Sequence, residues 1–162
     1  MIFTQHYDSP PGGILLAADE VGLTGLWFDG QKYFARGLSA ERIEKDTPIL
    51  SETKRWLDDY FEGKVPTCLP PLHPIGSPFQ RDVWNILLEI PYGQTTTYGE
   101  IARRLAARRG LPRMSAQAVG GAVGHNEISI LIPCHRVVGA NGSLTGYAGG
   151  VERKLALLKL EG

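Results

Sequence analysis

Val65-Pro66-Thr67-Cys68-Leu69-Pro70-Pro71-Leu72-His73-Pro74-Ile75-Gly76-Ser77-Pro78 carries five of the eleven prolines in a chain of 162 residues. Each proline locks its own φ and pushes its predecessor toward extended backbone, so this stretch reads as a stiff connector. A boundary inside it divides the chain into a first unit (1–70), a connector (71–78) and a second unit (79–162). The length suits one good core, or a small domain docked on a larger one.

Upstream of the connector, short apolar runs at Ile2–Tyr7, Ile14–Ala18 and Leu23–Phe28 are separated by turn formers, the pattern of a strand meander. Thr47-Pro48 then sets an N-cap before a proline at the first helical position. Ile49, Leu50, Trp56, Leu57, Tyr60 and Phe61 follow at helical spacing, with Gly63 as the stop. No residue of this unit points to catalysis, and its expected role is scaffold.

Downstream the pattern is mainly helical. Ser77-Pro78 opens a helix whose stripe is Phe79, Val83, Ile86, Leu87 and Ile90, ended by Pro91-Tyr92-Gly93. Thr97 and Glu100 fit a capping box for a helix through Ile101, Ala102 and Leu105, and Ser115 caps another through Ala122. Two short helices in succession suggest helix-turn-helix, although the link from Ala106 to Met114 is long for that motif, and plain helix–helix packing is the alternative. Ile128-Ser129-Ile130-Leu131-Ile132 reads as a strand, and a final helix runs from about Val151 to Leu160. The expected fold class is α+β, a small α/β unit followed by a helical one.

The formal net charge is zero, but it is unevenly placed. Residues 1–78 hold seven Lys/Arg against eleven Asp/Glu, and residues 79–162 hold ten against six. A polyanionic partner is therefore compatible with the second half alone. No apolar run approaches the ~20 residues of a membrane span, and the start lacks a signal-peptide pattern, so a cytoplasmic protein is expected. The two cysteines, Cys68 and Cys134, form no CxxC pair. Counting leaves a disulfide open, and a reduced chain is the expectation.

Cys134 is followed by His135 and Arg136, which supply a proton acceptor and positive charge. A free thiol at pKa ~8.5 is only slightly ionised at neutral pH, so efficient attack requires a base. His135 fits that role directly or through a water, with a carboxylate fixing its tautomer. Adjacent side chains on an extended segment face opposite ways, so the backbone must turn at this point.

Three blocks extend the pattern: Ala118-Val119-Gly120-Gly121-Ala122, Pro133-Cys134-His135-Arg136-Val137 after Ile130-Leu131-Ile132, and Gly146-Tyr147-Ala148-Gly149-Gly150. In order and spacing, the chain from Phe79 onward resembles the O6-alkylguanine-DNA alkyltransferase family, the methylated-DNA–protein-cysteine methyltransferases. The first half fits that family's ribonuclease-H-like α/β domain loosely. The resemblance implies DNA repair by a single, irreversible alkyl transfer from O6 of guanine, or from O4-alkylthymine, onto Cys134. It implies that His135 takes the thiol proton through a water, Glu161 orients His135, and Asn126 braces the site. Tyr98 would protonate the departing base and crowd the flipped nucleotide's phosphate.

Tyr147 and Ala148 would cover the guanine, and the carbonyls of Cys134 and Val137 would accept from its exocyclic amine. Ala118, Gly120, Gly121 and Ala122 would let a helix press into the minor groove, which suits repair independent of sequence. Arg113 and Arg136 complete the expected substrate and DNA contacts. The lesion lies inside a stacked duplex, so the nucleotide must be flipped out. The expected partner is double-stranded DNA, acted on by a monomer, with no membrane, cofactor or metal.

Two positions depart from the pattern. Gln117 stands where the family commonly places an arginine that fills the gap left by the flipped base, which implies weaker, more salt-sensitive DNA binding with the chemistry kept. Glu127 stands where a proline often follows the asparagine. Three rival readings remain: a cysteine hydrolase using Cys134, His135 and Glu161, a non-enzymatic damage binder, and a regulatory helix-turn-helix protein. The hydrolase needs an oxyanion hole and turnover. Damage binders of this kind typically replace the cysteine, and the regulator lacks a long polar recognition helix.

Overall fold

The computed structural model describes residues 1–144 and 146–162. β1 (Ile2–Ser9), β2 (Gly12–Ala18) and β3 (Leu23–Phe28) form the antiparallel meander expected from the apolar runs and their turns. A short strand, β4 (Arg42–Glu44), pairs with β1 in parallel and gives the order β3-β2-β1-β4. Its three exposed residues are too few to show a period-two pattern in sequence.

α1 (Pro48–Phe61) packs on this sheet. Thr47 caps it by accepting from the Leu50 N–H at 3.3 Å, and Leu50, Thr53, Leu57 and Tyr60 form its buried face. Gly63 follows at φ +82°, a left-handed turn that ends the helix at little steric cost.

The outer edge of β3 is covered by backbone from beyond the meander. The Leu23 N–H donates to the Pro71 carbonyl, and the His73 N–H returns to Leu23. Three residues along the strand, the Leu26 N–H donates to the Glu127 carbonyl, and the Ser129 N–H donates to the Leu26 carbonyl. The core is likewise shared: Leu16, Phe28 and Leu57 from the first unit join Val83, Leu105, Val123 and Leu157 from the second. The molecule is α+β, with the sheet unit docked against helices through one continuous apolar interior.

α2 (Pro78–Leu87) starts with both halves of a Ser77/Gln80 capping box. α3 (Tyr98–Arg108) and α4 (Ala116–Gly124) form the helix-turn-helix, capped by Thr97 and Ser115, with α2 packed against both. The Thr97 box is half formed. Thr97 accepts from the Glu100 N–H at 3.1 Å, while the Glu100 carboxylate turns outward to Arg103 at 2.6 Å. A two-residue parallel ladder then sets β5 (Thr96–Thr97) against β6 (Val137–Val138). It brings the start of α3 beside the segment that follows Cys134.

The run Ile128–Ile132 departs from expectation. Every residue in it is buried, yet it folds as tight turns, with the Leu131 N–H on Ser129 and the Ile132 N–H on Ile128. Only Ile128 makes a strand-like bridge, to Leu26. Asn126 replaces the missing sheet neighbour: its amide nitrogen donates to the carbonyls of Ile128 (3.2 Å) and Ile132 (2.9 Å), and its oxygen accepts from the Ile128 N–H (3.0 Å). These bonds hold Ile130 at φ +70°, a conformation β-branched residues rarely adopt. α5 (Val151–Glu161) closes the fold. Among the described residues no helix is long and apolar enough to cross a membrane.

Candidate active site

Immediately after the Asn126-braced turns, Cys134–Arg136 form one 3-10 turn. This turn resolves the problem posed by adjacent residues on extended backbone, because Cys134 and His135 are both turned into the interior. Cys134 is 8% exposed and His135 fully buried. Burial raises the thiol pKa; the neighbouring Asn126 and Ser129 side chains and the Lys154 charge act in the opposite direction. The resting group is therefore a thiol, and attack requires that a proton be removed.

His135 Nε2 lies 2.6 Å from Glu161 Oε2. Because a carboxylate only accepts, Nε2 carries the hydrogen and Nδ1 holds the free lone pair. Nδ1 is buried and has no hydrogen-bond partner among the described residues. Burial lowers the imidazole pKa against the opposing pull of Glu161, so the ring is neutral and able to accept a proton.

Glu161 sits at the centre of a dense set of donors. Arg136 Nε reaches Oε1 at 2.7 Å and Arg136 Nη2 reaches Oε2 at 3.0 Å. The Gly93 N–H approaches Oε1 at 3.3 Å, and the Tyr60 hydroxyl donates to Oε2 at 2.6 Å. Burial alone would raise this carboxyl, but the bonds from His135, Arg136 and Tyr60 more than offset it and hold the pKa at about 2. The result is a permanently charged acceptor behind a neutral histidine.

Tyr98, the first residue of α3, faces the same region. A Cβ at Gly146 would lie 3.0 Å from its hydroxyl, and one at Gly120 would lie 3.7 Å from its ring. Burial, with Cys134 nearby, raises its pKa, so it remains a proton donor at neutral pH. Gly120, Gly121, Gly146, Tyr147 and Ala148 line an open cavity of about 430 Å³ together with Lys32 and Tyr33 of the first unit. The Lys32 N–H donates to the Ala148 carbonyl at 3.1 Å.

α4 buries Val119, Ala122 and Val123 and turns Gln117, Ala118 and Gly121 to solvent, with Gly120 half-buried and Arg113 exposed before the helix. Three residues stand otherwise than expected. Ala122 is buried and its carbonyl accepts from the Trp84 indole, so it belongs to the inner face of α4. Arg136 is 9% exposed, with its guanidinium committed to Glu161 and the Ile90 carbonyl, because a buried carboxylate requires a counter-charge. Val137 is buried and its carbonyl already accepts from Lys154 Nζ at 2.5 Å.

Lys154 and Tyr60 escaped the sequence reading. On α5 the buried positions are Lys154, Leu157 and Glu161, an i, i+3, i+7 face carrying two charges, and that spacing was the available signal. Tyr60 gave none, being indistinguishable from the other apolar positions of its helix. Among the described residues no group of three or more His, Cys, Asp or Glu is placed to hold a metal ion.

Comparison with known proteins agrees over the whole chain. Residues 78–162 match the family described as 6-O-methylguanine DNA methyltransferase, DNA binding domain, and residues 2–73 match the ribonuclease-like domain of the same protein class. A methylated-DNA–protein-cysteine methyltransferase of Methanosarcina acetivorans is 46% identical, with 96% of each chain covered. One from Haemophilus influenzae is 38% identical over 99% of this chain and 86% of its own. The Mycobacterium tuberculosis OGT solved in complex with DNA is 42% identical, with a TM-score of 0.84 over 98% of this chain and 92% of that one. The chain belongs to the 6-O-methylguanine DNA methyltransferase family.

Proposed function

We propose that the protein repairs alkylated DNA by moving the alkyl group of O6-alkylguanine onto Cys134 in one irreversible step. The observation that carries this reading is the buried His135–Glu161 pair directly after the buried Cys134, in which a neutral imidazole spends Nε2 on a charged carboxylate and leaves Nδ1 unspent. The thiol proton passes to His135 through a water, and Glu161 stabilises the imidazolium that forms. The sulfur attacks the alkyl carbon as the C–O6 bond breaks, and the electron pair of that bond stays with the guanine. Tyr98 donates a proton to the leaving base. The thioether has no route back to a thiol, so each molecule acts once.

DNA approaches along the outer face of α4, where Gln117, Ala118 and Gly121 leave room for a groove wall, and Gln117 fills the stack beside the flipped nucleotide. Tyr147 and Ala148 cover the extruded base. In this reading residues 1–70 serve as scaffold, 71–78 as connector and 79–162 as the acting part. Both cysteines are free thiols, which suits a reducing cytoplasm.

The test is intact-protein mass after incubation with a duplex containing O6-methylguanine. A gain of one methyl, saturating at one per protein and absent in Cys134→Ala, is expected. Repeated turnover without mass gain would make the protein a hydrolase, and lesion binding without transfer would make it a damage binder.

A further inference from the structure

Tyr60 lies in the first unit, yet its hydroxyl ends on the catalytic carboxylate. It is fully buried, 101 residues from Glu161 in sequence, and donates to Oε2 at 2.6 Å, the same oxygen that receives His135 Nε2. Packing fixes the ring: Trp56 stacks on it at 5.3 Å, and Phe61 and Tyr92 meet it edge-on at 5.2 and 6.2 Å. A phenylalanine would fill the same volume and serve the core equally well. The hydroxyl is what the core does not need.

We infer that Tyr60 is a positioning residue for alkyl transfer, supplied by the first unit, which holds Glu161 in line with His135 and tempers the charge that the imidazole feels. A donor on Oε2 draws carboxylate charge toward itself. The less charge remains facing Nε2, the less the imidazolium is favoured at rest, and the lower the pH at which His135 is still a usable base. The phenol keeps its proton throughout, since burial and Glu161 both push its pKa upward. Other groups act on the same pair. Arg136 from the 3-10 turn bonds Glu161 and, with Lys154 of α5, disfavours the imidazolium, while Glu161 helps keep Tyr92 from the loop after α2 and Tyr147 from the glycine-rich loop protonated. Of these side chains only Tyr60 belongs to the sheet-bearing unit, which therefore contributes more than a scaffold.

This inference rests on the proposed transfer chemistry. Single-turnover transfer from an O6-methylguanine duplex, followed across pH and normalised to titrated Cys134, tests it. In Tyr60→Phe the plateau rate should fall roughly tenfold, the loss expected for one charge-assisted hydrogen bond. The acid limb should move up by about half a pH unit, because the less-tempered carboxylate raises the histidine pKa. Leu57→Val, in the same helix, should lower stability and leave the limb in place. If Tyr60→Phe does not fold, 3-fluorotyrosine at position 60 keeps the shape and donates more strongly, and the limb should then move down.

An unmoved limb in Tyr60→Phe or in the fluorinated protein overturns the inference, as does an equal shift in Leu57→Val. Failure of the unmodified protein to transfer at any pH defeats the proposed function itself. Coincident profiles with transfer intact defeat only the role of Tyr60.

Discussion

Trp84 donates its indole N–H to the carbonyl oxygen of Ala122 at 2.9 Å, fastening α2 to the inner face of α4. The outer face of that helix is the one proposed above to meet DNA, so this bond fixes the height at which the small residues present themselves. In Trp84→Phe a buried hydrogen bond and part of a well-packed ring are lost together. A fall in stability of about 2 kcal/mol is expected, read as a lower urea midpoint by circular dichroism. An unchanged midpoint would mean that α4 is held by packing alone.

Glu161 makes stability depend on acid. Its carboxyl titrates at about 2 in the folded protein against an ordinary 4.5, so the unfolded chain takes up the proton first as pH falls. The stabilisation is complete above about 4.5 and is lost as pH drops toward about 2. Glu161→Gln should remove this leg of the stability curve. It should also cost about 3 kcal/mol at neutral pH by leaving Arg136 buried without its counter-charge, and slow transfer at least a hundredfold. Denaturation series at several pH values check the first two outcomes, and single-turnover kinetics the third.

Gln117 is exposed at the start of α4 and carries no charge. Gln117→Arg should tighten DNA binding roughly tenfold at low salt and steepen the salt dependence by about one released counterion, with the methyl-transfer rate at saturating DNA unchanged. Counterion release therefore makes the protein with glutamine the less salt-sensitive of the two, contrary to the expectation drawn from sequence. Binding titrations at several salt concentrations decide it.

The two thiols should be separable by a colorimetric thiol reagent. Cys68 is exposed and Cys134 is buried with a raised pKa. The native protein should show one fast and one slow phase, slower by about tenfold or more. Cys68→Ser should remove the fast phase, and prior reaction with methylated duplex should remove the slow one.

What was legible in the sequence was whatever depends on near neighbours. Caps at Thr47, Ser77, Thr97 and Ser115 all form, because an N-cap needs only its own next three residues. His135 and Glu161, 26 residues apart, come within hydrogen-bond distance of one another. Ile128–Ile132 was misread because β-branched composition reports burial and is silent on whether a strand or an asparagine side chain will satisfy the backbone. Arg136 looked like a DNA contact for a similar reason: an arginine's sequence neighbours do not reveal a buried carboxylate 25 residues away. The tie between Tyr60 and Glu161 spans nearly two-thirds of the chain and leaves no local trace at all.

The covering of β3 has a consequence for how such a chain can change. The segments around residues 71–73 and 127–129 reach Leu23 and Leu26 through N–H and carbonyl groups, which almost every residue type supplies. Replacing side chains on either segment leaves that pairing intact. Adding or removing one residue next to Asn126 would slip the register and swing its amide away from the turns that present Cys134. The backbone pairing of this seam is indifferent to side-chain identity, proline at the two donor positions apart, and intolerant of insertion.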